Sequence, residues 1–404
     1  MAVKLDSERW WGQPGIRDLL TVLGAEDGLI RFVGGTVRDE LLGIPHADID
    51  LATRLDPAAV MQRLARTKIK AVPTGIDHGT ITAVSRGQMA EITTLRRDVS
   101  TDGRRAVVAF TEDWKEDAAR RDFTINALFA DPVSGDIFDY FDGLDDLAQR
   151  HIRFIGDPLE RIAEDHLRIL RFFRFHARFG SGDPDAAALA ACTARANDLM
   201  ALSRERIADE LLKLLGLEDP TETVRIMVDR AILRPVLPEI AADRLGDLEA
   251  LVEAERAADI APDPLRRLAA LLPRDPALAE TIAARLKLSN KSRKRLGCAA
   301  GADLDRTPEA LAYRVSPDCA VDRLLLAGRA DQALAIQSWK PPRLPISGGA
   351  LIARGLVEGP VVARTLRSIE DQWVAAGFPG GAELDMIVAT ALQGAGIAND
   401  EAAG

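Results

Sequence analysis

The feature that most constrains the fold is a change of pattern near residue 150. Before that point, short β-branched and aromatic runs alternate with short helical stretches, and from residue 157 to about 393 only helical periods are found. Strands are predicted over residues 29–33, 49–51, 80–84, 91–95 and 107–110. The pattern therefore predicts an α+β chain, in which a small mixed sheet forms a head and everything after it is helical.

The composition is that of an ordinary globular protein. The 404 residues are 47% hydrophobic and 28% charged, and the net charge of −10 argues against non-specific coating of nucleic acid, although a local basic groove stays compatible with it. The cysteines Cys192, Cys298 and Cys319 form no CxxC pair, so we expect free thiols and no zinc site. Since no signal-peptide core or membrane-length apolar run is found, we expect a cytoplasmic protein without membrane contact.

Two adjacent glycines separate the first predicted strand from a helix. The segment FVGGTVRD (residues 32–39) places Gly34 and Gly35 in the turn and Arg38 on the first helical turn. Glycines let backbone N–H groups approach an anion, and the N-terminus of a helix favours phosphate. An ordinary strand–helix turn explains the same letters, so this motif alone leaves phosphate binding open.

A pair of carboxylates follows 13 residues later. In HADIDLAT (residues 46–53), Asp48 and Asp50 are separated by one residue on a predicted strand, which puts both on one face, about 7 Å apart at Cα. Mg²⁺ prefers such carboxylates together with substrate phosphates, so the spacing favours a metal site for nucleotide chemistry. Glu91 heads another predicted strand and is a candidate third acid, although a surface glutamate fits equally well.

Arginines are concentrated in two further segments. Arg120 and Arg121 precede an apolar run. This arginine pair is typical either of a phosphate-binding site or of a solvated helix end. Residues 157–180 predict one helix, in which Asp157 is the N-cap and Pro158 the first helical residue. At about 100° per residue, four arginines fall in one stripe about 120° wide: Arg168, Arg171, Arg174 and Arg178. A phenylalanine-lined helix with this stripe indicates an anionic partner, either a triphosphate or an RNA backbone, and a salt-bridged surface stripe is the alternative.

Asp165 is predicted to lie beside Arg168, one turn away on the same helix. Cytosine and adenine both present an amino donor next to an unprotonated ring nitrogen, whereas guanine and uracil present a carbonyl next to a ring N–H. A carboxylate that accepts from the amino group and a guanidinium that donates to the ring nitrogen match cytosine and adenine, and they mismatch guanine and uracil. The pair is therefore a hypothesis for selecting C and A.

The motifs together resemble the bacterial tRNA nucleotidyltransferase and poly(A) polymerase family. The matching segments over residues 28–215 are GGTVRD, HADIDLAT, PTGIDHGTITAV (73–84), RRDFTINALF, DYFDGLDDL (139–147) and EDHLRILRFFRF. The resemblance implies a nucleotidyltransferase head over residues 1–150, a helical neck over 151–215, a helical body over 216–288 and a helical tail over 289–404.

The resemblance also implies roles for individual residues. Asp48 and Asp50 would bind Mg²⁺, with Glu91 as the third catalytic acid. Nucleotide contacts are implied for Gly34, Gly35, Arg38, Arg121, Asp165, Arg168, Arg171 and Arg174. The segment SRERIADE (203–210) would brace the neck helix, although an exposed capped helix start fits it equally. Beyond about residue 215 the resemblance is weak, and the basic cluster at 289–296 is interpreted from its residues alone, as a contact for tRNA phosphates or as a solvated helix start.

The implied activity is CCA addition, in which C and A from CTP and ATP are joined to the tRNA 3′ end with release of pyrophosphate. The segment TGIDHGTIT (74–82) is of the CCA-adding style, and the acidic chain lacks the basic tail common in poly(A) polymerases. A poly(A) polymerase or a partial enzyme that adds only A or only CC is the alternative. A catalytically silent RNA-binding protein is disfavoured by the carboxylate pair, and no protein partner is inferred.

Overall fold

The computed structural model describes residues 3–6, 12–45, 49–101 and 106–395, without the side chains of Asp77 and residues 98–108. The chain divides into two compact units, Met1–Pro238 and Glu239–Gly404. The predicted α+β class is confirmed, because a mixed sheet lies in the first unit and every element between residues 157 and 395 is helical. The finer division into head, neck, body and tail stays a prediction.

The strands that the structure describes are β1 Ile30–Val33, β2 Ile49–Thr53, β3 Lys70–Gly75, β4 Thr80–Ser85, β5 Gln88–Thr94, β6 Arg96–Thr101, β7 Ala106–Phe110, β8 Phe129–Ala130 and β9 Ile137–Phe138. Seven of them form the mixed sheet of the head, in the order β3-β4-β5-β2-β1-β8-β9. Strands β2 and β5 pair in parallel and the other neighbours are antiparallel, while β6 and β7 form a separate ribbon.

All five predicted strands are present within a few residues of their expected bounds. Four strands were not predicted, and two reasons account for three of them. Strand β3 is an exposed edge strand that contains Pro73, so it lacks the alternation of a half-buried strand. Strands β8 and β9 are each two residues long, which is too short to give a periodic signal.

Along the chain, the helices that the structure describes in the first unit lie before, between and after the strands. They are α1 Pro14–Val22, α2 Gly35–Leu41, α3 Pro57–Ala65, α4 Trp114–Ala119, α5 Gly143–Ala148, α6 Pro158–Glu164, α7 Arg168–Phe179, α8 Ala186–Ala194, α9 Arg204–Leu215 and α10 Thr221–Asp229. Short 3₁₀ segments span Ile76–His78, Thr124–Asn126 and Ala196–Ala201. Helix α6 begins as predicted, since the Asp157 carboxylate accepts the backbone N–H of Glu160.

The single helix predicted over residues 157–180 is wrong, because the chain leaves helical geometry at Asp165. This residue has φ −151° and ψ 106°, and its side chain accepts the backbone N–H of Leu167 at 3.1 Å. A side chain that bonds two residues ahead forms an Asx turn, which competes with the helical hydrogen bonds. Helix α6 therefore ends at Glu164, and α7 begins at Arg168.

The second unit is built from helices throughout its described part. They are α11 Leu245–Ala257, α12 Pro264–Leu271, α13 Pro276–Arg285, α14 Asn290–Ala299, α15 Pro308–Val315, α16 Pro317–Leu326, α17 Ala330–Ile336, α18 Gly348–Ala353, α19 Pro360–Ala375 and α20 Gly381–Gly394, after a 3₁₀ turn at Ala242–Arg244. Among the helices that the structure describes, none combines the length and the apolar character needed to cross a bilayer.

One sequence expectation is wrong in this unit, and one residue of the basic cluster has a structural role. Cys298 and Cys319 form a disulfide between α14 and α16, with Cα atoms 6.1 Å apart, so only Cys192 remains as a free, buried thiol. The expectation of three free thiols rested on spacing along the chain, which does not show that α14 and α16 pack together. Arg295, from the basic cluster at 289–296, is held by Asp322 at 2.8 Å and is therefore a structural residue.

Candidate active site

The glycine turn joins β1 to α2 in a conformation that favours glycine. Gly34 has φ +62° and ψ −120°, and its N–H donates to the carbonyl of Leu128 at 3.0 Å. A Cβ at this position would lie 3.1 Å from Nη1 of Arg121. The backbone therefore turns sharply against the arginine pair, and α2 begins at Gly35 beside it.

Asp50 and Glu91 lie side by side across the parallel pair β2–β5, as register partners. Paired residues of neighbouring strands share a face of the sheet, so both carboxylates belong to the same face. The Asp50 N–H donates to the Thr36 hydroxyl of α2 at 2.8 Å, which ties the carboxylate strand to the glycine turn. Asp48 lies outside the described residues. Within them no group of three His, Cys, Asp or Glu side chains forms a metal cluster.

The donor chemistry nevertheless suits Mg²⁺. Asp50 and Glu91 supply carboxylate oxygens from neighbouring strands, and hard divalent cations prefer such oxygens. Asp50 also lines a cavity of this unit, whereas Glu91 is exposed and does not line it. The structure thus brings two of the three predicted acids together.

A cavity of 570 Å³ collects the predicted nucleotide contacts. Its lining consists of Gly34, Gly35, Arg38, Asp50, Arg96, Arg120, Arg121, Asp122, Asn126, Asp165, Arg168, Arg171, Arg174 and Phe175. All eight residues predicted to contact nucleotide belong to this set. Seven arginines against three aspartates give the lining an excess of positive charge, which is suited to a polyanion such as a triphosphate.

Arg38 is held in place on the head side of the cavity. Its guanidinium donates to the Asp39 carboxylate at 2.7 Å and to the Asn126 side-chain carbonyl, and it lies 4.1 Å from the Phe179 ring. Burial lowers the pKa of Arg38 below its ordinary value even though Asp39 raises it, and an arginine still keeps its proton at neutral pH. The side chain is therefore a fixed cation at the helical end of the glycine turn.

Two arginines of α7 are fixed by buried carboxylates. Arg171 donates to Asp122 at 2.5 Å, and Arg174 donates to Glu210 of α9 at 2.6 Å. Burial alone would raise the pKa of Asp122, but Arg171 and the Asn126 amide lower it below its ordinary range. Asp122 therefore stays ionised, and the two carboxylates orient Arg171 and Arg174, which both line the cavity. Arg178, the fourth member of the stripe, lies 3.8 Å from Asp39 and does not line the cavity.

Asp165 and Arg168 both line the cavity, but the predicted contact between them is not the one that the structure shows. Asp165 accepts two hydrogen bonds from Arg206 of α9, at 3.0 and 2.8 Å. Arg168 donates to Glu164 at 2.5 Å and to the carbonyls of Arg161 and Arg120. Each member of the proposed base-selecting pair thus has its own partner, because the helix is interrupted between Asp165 and Arg168.

The segment 203–210 performs the bracing that the resemblance implied. Ser203 caps α9, Arg206 holds Asp165, and Glu210 is only 4% exposed beneath Arg174. The alternative, an exposed helix start, does not account for these contacts.

Sequence reasoning did not single out Asn126, Asp117 or Asp122, although Asp117 stands three and four residues before the arginine pair.

Comparisons with known proteins agree with this arrangement. The Poly A polymerase head domain matches residues 30–153, and the probable RNA and SrmB- binding site of polymerase A matches residues 183–244. The chain is 33% identical over 383 residues to the mitochondrial CCA tRNA nucleotidyltransferase 1 of Mus musculus, covering 90% of this chain and 87% of that one.

Two further similarities concern bacterial proteins. The CCA-adding enzyme of Latilactobacillus sakei is 40% identical over 222 residues, 54% of each chain. A crystal structure of the Bacillus stearothermophilus CCA-adding enzyme in complex with CTP superposes with a TM-score of 0.74 at 25% identity, covering 95% of this chain and 99% of that one. The mouse relative is above 30% identical and the match covers 90% of this chain and 87% of that one, so this chain belongs to the family of CCA tRNA nucleotidyltransferases.

Proposed function

We propose that this protein adds C and A, from CTP and ATP, to the 3′ end of tRNA and releases pyrophosphate. The observation that carries the proposal is one cavity in which the glycine turn, Asp50 and the Asp165/Arg168 pair meet among seven arginines. A triphosphate needs the positive charge, a metal needs the carboxylate, and selection of C and A needs an acceptor beside a donor. Poly(A) addition and partial addition also need the positive charge and the carboxylate, so the reaction product distinguishes these activities from complete CCA addition.

Asp48 and Asp50 are proposed to hold Mg²⁺, with Glu91 as the third acid. Bound there, Mg²⁺ supplies charge neutralisation at the α-phosphate and lowers the pKa of the RNA 3′-hydroxyl. The residues of the chain bind and orient the reactants. The backbone of the glycine turn and Arg38 lie next to Asp50, so they are placed to bind the triphosphate with its α-phosphate near the carboxylates.

Base selection is proposed for Asp165 and Arg168, each oriented by a neighbour. Arg206 fixes the carboxylate of Asp165. The remaining lone pairs of that carboxylate accept a hydrogen bond from the amino group of cytosine or adenine. Glu164 fixes the guanidinium of Arg168, whose other N–H groups donate to the ring nitrogen. Guanine or uracil would place a carbonyl against the carboxylate and an N–H against the guanidinium, and each buried mismatch costs about 1–3 kcal/mol.

We further propose a dependence on Mg²⁺, recognition of tRNA by its shape and phosphates, and location in the cytoplasm, where tRNA, CTP and ATP are found together. Shape recognition suits a substrate class that shares a fold and differs in sequence. The predicted four-part division assigns the head and neck to catalysis and the tail to tRNA contact.

The test replaces the carboxylates without changing their size. Asp48→Asn and Asp50→Asn should each lower incorporation of both CTP and ATP into tRNA transcripts lacking CCA by at least about 1000-fold, on the scale of a main electrostatic contributor to catalysis. Asp145→Asn is the matched control, since Asp145 is an exposed aspartate of α5. Near-normal activity of the folded double variant would contradict the metal assignment. Removal of divalent metal by EDTA should stop the wild-type reaction, and added Mg²⁺ should restore it.

A further inference from the structure

One buried carboxylate lies behind the cavity and does not line it. Asp117 of α4 is 1% exposed and stands three and four residues before Arg120 and Arg121, which both line the cavity. Its Oδ1 accepts from Nη2 of Arg120 at 2.6 Å and from Nε at 2.8 Å, while its Oδ2 accepts from Nη2 of Arg121 at 2.9 Å. Both oxygens of one carboxylate are thus used to hold two neighbouring guanidinium groups.

Asp117 makes a third contact, with the backbone where β6 begins. The N–H of Arg96 donates to Oδ1 at 3.2 Å, and the Arg96 side chain lines the same cavity. Three cavity arginines, from β6 and from the end of α4, are therefore connected through one side chain that does not reach the cavity itself.

The charges explain why the contact of Asp117 with Arg120 and Arg121 matters. Burial alone would raise the pKa of Asp117, but Arg121 and Arg120 outweigh it and lower the pKa below its usual range. Burial lowers the pKa of Arg120 to about 10, with Asp117 acting in the opposite direction. Adjacent arginines repel each other, and without a shared counter-charge each gains by turning toward water. The carboxylate therefore determines where the two guanidinium groups point.

We propose that Asp117 is a positioning residue for nucleotide binding and acts through Arg120 and Arg121. The proposal rests on the function proposed above, since the ligand of these arginines is taken to be a nucleoside triphosphate. Asp117 touches no reacting atom. Its effect should appear in KM for CTP and ATP alike and leave the choice of base unchanged. Asp165 and Arg168 are oriented by Arg206 and Glu164, and Arg168 contacts Arg120 only at its backbone carbonyl, whereas Asp117 holds the Arg120 side chain.

The first measurement uses Asp117→Asn, which keeps the size of the side chain and removes its charge. We expect KM for both nucleotides to rise about 10- to 100-fold with a smaller change in kcat, as befits lost ground-state binding. Discrimination against GTP and UTP should stay at the wild-type level. Asp145→Asn, the exposed aspartate of α5, is the matched control and should leave KM unchanged.

The decisive measurement is a double-mutant cycle with Arg121→Ala. If Asp117 acts through Arg121, that substitution will raise KM much less in the Asp117→Asn background than in the wild type. Effects that multiply as independent ones, or an unchanged KM in Asp117→Asn, would overturn the proposal. Should Asp117→Asn fail to fold, Asp117→Glu, which keeps the charge on a longer stem, replaces it and should give an intermediate KM.

The two proposals fail differently. A wild-type protein that incorporates neither CTP nor ATP into tRNA contradicts the proposed function. A wild-type protein that incorporates both, while Asp117→Asn binds them equally well, contradicts only the role of Asp117.

Discussion

Gly34 and Gly35 are neighbours in one turn, yet the structure requires them for different reasons, and alanine substitutions should separate these reasons. At Gly34 the backbone has φ +62°, and a Cβ would lie 3.1 Å from Nη1 of Arg121. Gly34→Ala should therefore cost about 1–3 kcal/mol of backbone strain and also displace Arg121. At Gly35 the backbone is helical and a Cβ would make ordinary contacts, 3.6 Å from Arg38 and 3.7 Å from Asp50.

Gly35→Ala should leave the free energy of unfolding unchanged or raise it by about 0.4–1 kcal/mol, because alanine restricts the unfolded chain. Its methyl group occupies the space between Arg38 and Asp50, where phosphates must approach, so we expect incorporation of CTP and ATP to fall at least about tenfold, equivalent to about 1.4 kcal/mol. Urea unfolding and single-turnover incorporation measure the two quantities. A Gly34→Ala protein as stable as the wild type, or a fully active Gly35→Ala protein, would refute this reasoning.

Three other predictions concern the charged side chains in and around the cavity. Asp165→Ala and Arg168→Ala should each raise incorporation of GTP and UTP relative to CTP and ATP in single-nucleotide assays, and wild-type selectivity in both variants would contradict their role. Glu210→Ala leaves Arg174 without its carboxylate in a buried site and should cost about 3–5 kcal/mol in urea unfolding; a loss below about 0.5 kcal/mol would contradict the bracing role of α9. The pKa of Asp122 is depressed in the fold, so its stabilisation is complete above the ordinary carboxyl pKa of about 4 and is lost as pH falls through the lower folded-state value. The contribution of Asp122 to the free energy of unfolding should accordingly decline below about pH 4, and Asp122→Asn should weaken this acid-side decline.

Local sequence patterns were sufficient where the structure follows local rules. Gly34 and Gly35 follow a predicted strand and precede a predicted helix, and the structure has both elements there. The spacing at Asp157 and Pro158 correctly predicted a helix start. In each case the backbone geometry is dictated by residues within one turn of each other, which is the range that periodicity and capping rules cover.

Tertiary contacts produced the features that the patterns missed. The helical period continues through Asp165, but Arg206 holds this carboxylate from 41 residues away and its side chain forms a turn with Leu167. Asp117 was not predicted as a site residue: its spacing allows it to reach Arg120 and Arg121, but only the fold shows that the carboxylate is buried beneath them. Burial and long-range pairing depend on how elements pack, and a single sequence does not show that.

The most direct test of the central claim is to identify the product made with all four nucleotides present. A tRNA transcript that lacks CCA is incubated with the protein, Mg²⁺, CTP, ATP, GTP and UTP, and the extended 3′ ends are sequenced. The account predicts the addition of C, C and A followed by termination, without G or U. Tails of A with variable length, or incorporation of G and U at rates similar to C and A, would contradict it.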